Sequence, residues 1–156
     1  VESEIFSIKH QDIEVKYKPN RLEIKVKGKT GYWIISTMPD ALDFYDKLRT
    51  LNPDYKRDDY LFFNNYPNRS TAIRNVNRQF NYILNLAKIK ETSDGQILTP
   101  YALRHYSLQT RLVKSKGKVN IFNLAKNAGT SVEQLERFYL KNLEMNDDLV
   151  ENLQTF

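Results

Sequence analysis

A chain of 156 residues, 40% hydrophobic and 28% charged, is sized for one soluble domain spanning 1–156 with a real core. It has no cysteine and only two histidines, which excludes disulfides and thiolate metal sites and leaves any metal dependent on carboxylates that are scattered. The net charge of +5 favours an anionic partner, nucleic acid being the commonest, and no apolar run nears the roughly 20 residues that cross a bilayer.

Val1 is not a methionine, and the helical pattern of Glu4, Ile5 and Ile8 is already running, so a fragment or processed product is expected. Residues 2–10 are predicted to be the end of a helix. Ile13, Val15 and Tyr17, then Leu22, Ile24 and Val26, alternate with polar residues, with turns at Pro19-Asn20 and at 28–31. Together with residues 32–35 they predict a three-stranded antiparallel sheet near the N-terminus, polar on the face of Lys16, Glu23, Lys25 and Lys27. A helix is expected over about 39–51, with Leu42, Tyr45 and either Leu48 or Leu51 on one side. A polar loop, 52–67, follows around the apolar run 61–63.

Ile73, Val76, Phe80, Ile83, Leu84 and Ala87 fall at helical spacing, with Ser70 as N-cap and Arg69, Arg74, Arg78 and Lys88 on a solvated face. After a loop through Asp94-Gly95, Thr99-Pro100 predicts a helix start, Thr99 capping and Pro100 taking the first position, with the helix running to about Lys116. A shorter helix, about 120–128, should end on Gly129 as a left-handed cap. Ser131 with Gln134 predicts the start of a helix carrying Val132, Leu135, Phe138 and Tyr139. A final short helix is expected around Leu149 and Leu153. The class is α+β and mostly helical.

Several chemistries find little support in this order of residues. No serine sits in a G-x-S-x-G turn. The Gly28-Lys29-Thr30-Gly31 turn lacks the spacing and following helix of a phosphate loop. A helix-turn-helix fits Ala125, Gly129 and Leu135, although Glu133 and Glu136 are unusual on a helix that reads a groove.

The stretch TPYALRH followed by LAKNAGTSVEQLERFY resembles the C-terminal catalytic region of the tyrosine recombinase (phage integrase) family. That family shows H-x-x-R-H, then L-G-H-S-S ahead of a tyrosine ten residues after the glycine. Arg104 and His105 match the R-H pair, Gly129 matches the glycine, and Tyr139 lies ten residues on. Upstream, KGKTGYWII is similar to the family's strand-turn-strand element, with Lys29 at its lysine, and EIFSIKHQDIE is similar to the segment after its first arginine. Tyr101 stands where a histidine is usual and Thr130 where histidine or tryptophan is usual. The first arginine is expected at or just before Val1, and no arginine occurs before Arg21.

The resemblance implies site-specific DNA cleavage and rejoining without metal or cofactor. Tyr139 would attack phosphorus, Arg104 would hold two non-bridging oxygens, and Lys29 would protonate the leaving oxygen. Tyr101 and Thr130 would each supply a hydrogen bond, and His105 would sit beside the site in a mainly structural role. Phosphate contacts are expected from Lys25, Lys27, Arg74, Arg78, Lys114 and Lys116 on double-stranded DNA. The tail after Leu140 is expected to join protomers, as a tetramer on DNA, in a cytoplasmic, nucleoid-associated protein of bacterial or phage origin. The rival readings are a recombinase-derived DNA-binding protein without catalysis, a helix-turn-helix regulator, and an RNA-binding module, for which the sequence offers no aromatic surface motif.

Overall fold

Alternation of apolar and polar residues produces the sheet. The computed structural model describes residues 2–28, 31–116, 118–137, 150–151 and 154. In it, β1 (Ile13–Lys16), β2 (Arg21–Gly28) and β3 (Gly31–Ser36) form an antiparallel sheet in the order β1-β2-β3. The register pairs Ile13 and Ile35 with Ile24, Val15 with Leu22, and Trp33 with Val26, which puts all of them on one face. Glu14, Glu23, Lys25, Lys27 and Tyr32 point the other way. Slipping the register by one residue would exchange the faces, so burial of the apolar set fixes the pairing. Six α-helices accompany this sheet among the described residues, an α+β architecture.

The chain falls into two compact units, residues 1–78 and 79–156. In the first, Leu22, Ile24 and Val26 are buried with Ile8 and Tyr45, and Leu42, Trp33 and Leu61 pack around them. The first helix, α1 (Glu2–Phe6), is shorter than its pattern predicts. Past Phe6 the chain turns inward, burying Ile8, and makes one 3-10 turn over His10–Asp12 in which the Asp12 carboxylate accepts the Lys9 N–H at 2.9 Å. Helix α2 (Ala41–Leu51) begins two residues later than expected. Of its two alternatives, Leu48 joins the half-buried side and Leu51 remains 77% exposed.

Residues 52–67 are more than a polar loop. Lys9 bridges to Tyr60, and the backbone N–H of Leu61 donates to the Ile8 carbonyl at 2.8 Å. Arg69, expected on a solvated face, is half-buried. Its guanidinium donates to the carbonyls of Phe6, Phe62, Phe63 and Tyr66 and lies 3.8 Å from the centre of the Tyr60 ring. Each buried carbonyl needs a donor, and a planar fork of five N–H groups can serve several at once. The helix that Arg69 begins, α3 (Arg69–Leu86), is capped by Asn68, not Ser70: the Asn68 Oδ1 accepts the Ser70 N–H at 2.9 Å. Ala72 and Leu84 are buried on it, whereas Ile83 is 59% exposed and Ala87 is exposed, against the predicted apolar stripe.

In the second unit, the loop after α3 is closed by Lys90, whose ammonium bonds Asn81 Oδ1 and the Leu98 carbonyl at 2.6 and 2.5 Å. Helix α4 (Tyr101–Lys114) follows Pro100, which already has helical angles, φ −54° and ψ −23°. The Ala102 N–H is taken by the main-chain carbonyl of Thr99 at 2.9 Å, which closes the first turn of the helix that Pro100 opens. Helix α5 (Ile121–Ala128) is capped by the Asn120 side chain, which accepts the Asn123 N–H at 3.1 Å. It ends on Gly129 in the left-handed conformation, φ 63° and ψ 43°. Ser131 caps α6 (Val132–Leu135) by accepting the Gln134 N–H. Leu108, Leu124, Ala125 and Leu135 form the core of these helices. The expected final helix around Leu149 and Leu153 lies mostly outside the described residues, of which Val150 and Glu151 are helical.

Candidate functional site

Arg104 is one turn into α4, a position set by the Pro100 start. There the side chain is half-buried and directed at the end of α5: its Nη2 donates to the Ala128 carbonyl at 2.6 Å. The last carbonyls of a helix have no partners within it and carry its negative end, so a guanidinium is well matched to that spot. No described carboxylate forms an ion pair with Arg104. Its other N–H groups and its full charge are therefore not neutralised by a described acid.

Gly129 and Thr130 follow directly. The Gly129 N–H donates to the carbonyls of Ala125 and Lys126, and the Thr130 N–H donates to Ala125 at 3.0 Å, the pairing of a Schellman end. A left-handed residue at 129 is what turns the chain there, and Ser131 immediately opens the next helix. Two motif segments separated by 24 residues, one holding Arg104 and one holding the Gly129-Thr130 turn, are thereby joined through a single hydrogen bond.

Tyr101 and His105 are one turn apart on α4 and pack edge to face, with ring centres 4.8 Å apart at 77°. Tyr101 remains 43% exposed and His105 is half-buried. Lys29 and Tyr139 lie outside the described residues. The backbone on either side of Lys29 is defined by the Gly28–Gly31 pair that closes the β2–β3 hairpin. Gly28 is required there: a Cβ on it would lie 2.2 Å from Trp33 Cζ3 and 3.2 Å from the Glu4 carboxylate.

The six basic residues expected at DNA are all exposed. Lys25 and Lys27 stand on the outer face of β2, with their ammonium groups 4.7 and 5.8 Å from the centre of the Tyr32 ring. Arg74 and Arg78 lie on α3, bonded to Thr71 Oγ1 at 3.4 Å and Asn75 Oδ1 at 3.2 Å. Lys114 and Lys116 are at and just past the end of α4. Among the described residues, no three His, Cys, Asp or Glu side chains are grouped as a metal ion would need. No described helix is long and apolar enough to cross a membrane.

One feature of the first unit was not read from the sequence. Beside His10, the end of α2 and residues 53–55 and 59–65 line a cleft of about 870 Å³. The signal for it was the aromatic density of that loop, with Tyr55, Tyr60, Phe62, Phe63 and Tyr66 among residues that otherwise read as polar. Comparison of the chain with protein-family models, with curated proteins and with solved structures finds no match.

Proposed function

We propose that the chain is the catalytic domain of a tyrosine recombinase, cleaving and rejoining DNA through a 3′-phosphotyrosyl intermediate. The observation that carries this reading is the Arg104–Ala128 bond, which draws the R-H segment and the Gly129 turn together. In that site the Tyr139 oxygen attacks phosphorus and the bond from phosphorus to the 5′ oxygen breaks. The departing oxygen takes a proton from Lys29, and the free 5′-hydroxyl later attacks in reverse. Arg104 binds the non-bridging oxygens, where fixed donors stabilise the charge of the five-coordinate state. Thr130 and Tyr101 each offer a hydroxyl to the same phosphate, and His105 supports Tyr101 from one turn away. Lys25, Lys27, Arg74, Arg78, Lys114 and Lys116 bind phosphates without reading sequence. A tetramer on DNA, joined through the tail after Leu140, and a nucleoid location belong to the same proposal.

A second reading, DNA binding without chemistry, draws support from the α5–turn–α6 geometry, in which Ala125 and Leu135 are buried on either side of the Gly129 turn. One experiment separates the two. The protein, with any residues that precede Val1, is incubated with nicked duplexes tiled from the DNA flanking its gene, so that the cleaved 5′ fragment diffuses away and a covalent adduct accumulates. An adduct abolished by Tyr139→Phe supports the recombinase. Salt-sensitive binding with no adduct supports the second reading, and an adduct that survives Tyr139→Phe rejects the assigned nucleophile.

A further inference from the structure

The residues that line the cleft beside His10 differ in charge from the molecule as a whole. The chain carries 24 Lys and Arg and a net charge of +5, yet neither type lines the cleft, while Asp54 and Asp59 do. Asp59 accepts the Lys56 N–H at 2.8 Å, and that bond holds its carboxyl below the usual range, so it is charged near neutrality. Asp54 pairs with no described residue. Outside the lining, the Arg49 guanidinium lies over the Tyr45 and Tyr55 rings at 5.7 and 5.6 Å and is offset by Asp46 at 3.7 Å, while the Lys56 charge acts on Asp59.

His10 adds to the lining a ring nitrogen that can accept a hydrogen bond. It is only 9% exposed, lines the cleft, and stacks on Tyr55 with ring centres 4.2 Å apart. Its Nδ1 faces the Tyr45 hydroxyl at 3.3 Å, and no described group bonds Nε2. Burial lowers the imidazole pKa, so the ring adds no positive charge near neutrality. When Nδ1 carries the proton and donates it to the Tyr45 oxygen, Nε2 is an acceptor. Phe62 and Phe63 give the lining an apolar wall, and the Tyr60 ring is already covered by Arg69 and Lys9. A volume of about 870 Å³ lies within the roughly 300–1,000 Å³ typical of ligand sites.

We infer that this cleft binds a compact organic cation on an apolar stem: a guanidinium or ammonium group belonging either to a small amine or to a basic side chain of another protein. The two carboxylates pair with the charge, His10 Nε2 accepts one N–H, and the aromatic and leucine walls take the stem. This function is separate from DNA binding and does not depend on it.

The test is an NMR titration of the full chain, following the His10 imidazole and Tyr55 ring signals with agmatine, with a six-residue peptide containing one arginine, and with 1-pentanol as a neutral control. The expected result is a saturable shift with a cationic probe, weakened about tenfold in Asp54→Asn, a loss on the scale of one charge contact. A peptide that binds more tightly than agmatine identifies a protein partner, and agmatine binding at least as tightly identifies a free amine. Asp54 makes no bond that holds the fold, and Trp33 fluorescence checks that the variant is intact. The inference is overturned if neither cation saturates by about 10 mM, if 1-pentanol shifts the signals equally, or if affinity is unchanged in Asp54→Asn.

Discussion

Arg104 donates from Nη2 to the Ala128 carbonyl at 2.6 Å, bonding α4 to the last turn of α5. The bond gives one side chain two roles, closing a helix end and holding positive charge beside the turn that follows. Arg104→Ala should therefore lower stability by about 1.5–3 kcal/mol, the loss of a hydrogen bond to a charged group, read from the urea midpoint. If the recombinase reading holds, adduct formation should fall much further, by about 10²–10³-fold, measured where the variant is fully folded. A drop in adduct no larger than the unfolded fraction would leave Arg104 a structural residue alone.

Gly129 has φ 63°, where a Cβ crowds the following carbonyl. Gly129→Ala should cost about 1–2 kcal/mol, and Gly129→Asn less, because asparagine tolerates this conformation. Denaturant midpoints ordered Gly, Asn, Ala from most to least stable would agree. A variant order with Ala equal to Gly would mean that the turn relaxes.

The parts legible in the sequence were those governed by local rules. Period-two alternation gave the first two strands and their faces, though β1 stops before Tyr17, which is 70% exposed, and Asn120, Gly129 and Ser131 marked helix ends because each is bonded within four residues of itself. Capping failed where two good candidates stood together, as Asn68 outcompeted Ser70 from two positions upstream. Arg69 was misassigned to solvent because its four acceptors are carbonyls, which every residue possesses and no sequence pattern reveals. The stripe on α3 over-predicted burial at Ile83, since periodicity says which residues share a face and not whether anything covers it. At the candidate site, Arg104 and Thr130 were singled out by the resemblance to recombinase motifs, and Gly129 also as a helix end, but the bond from Arg104 to Ala128 that brings these segments together is tertiary.

Gly28→Ala should disturb the sheet where it meets Trp33, since the added methyl would lie 2.2 Å from the indole. Overpacking of this kind costs about 1–3 kcal/mol. Trp33 is the single tryptophan, so its emission spectrum reports the site directly. A spectrum and midpoint unchanged from the parent protein would show that the indole moves aside freely.

Arg69 gathers carbonyls from Phe6, Phe62, Phe63 and Tyr66, tying α1 and the loop before α3 to one guanidinium. Lysine has the charge but not the fork, so Arg69→Lys should leave some of these carbonyls unbonded and cost about 3 kcal/mol, one or two charge-assisted hydrogen bonds. Limited proteolysis should then cut within residues 52–67 while the second unit stays protected. Equal protection in the variant would argue that water replaces the arginine.

His10 predicts how stability changes with pH. Burial lowers its pKa below the ordinary 6.5; the Asp59 carboxylate opposes this and the Arg49 guanidinium adds to it, with Tyr45 and Tyr55 as the remaining titratable neighbours. In acid the unfolded chain takes up the proton first, so the folded state is progressively disfavoured as pH falls below about 6.5, until the folded imidazole also titrates. Asp59 acts in a separate window: its lowered pKa contributes stability that is lost only as pH falls below its ordinary 3.8. Urea midpoints should therefore decline between about pH 7 and pH 5 in the parent and stay flatter in His10→Gln, with His105 present in both and cancelling in the comparison. Parallel profiles would place the acid sensitivity elsewhere, and a parent midpoint that rises toward pH 5 would mean that His10 is charged in the folded protein.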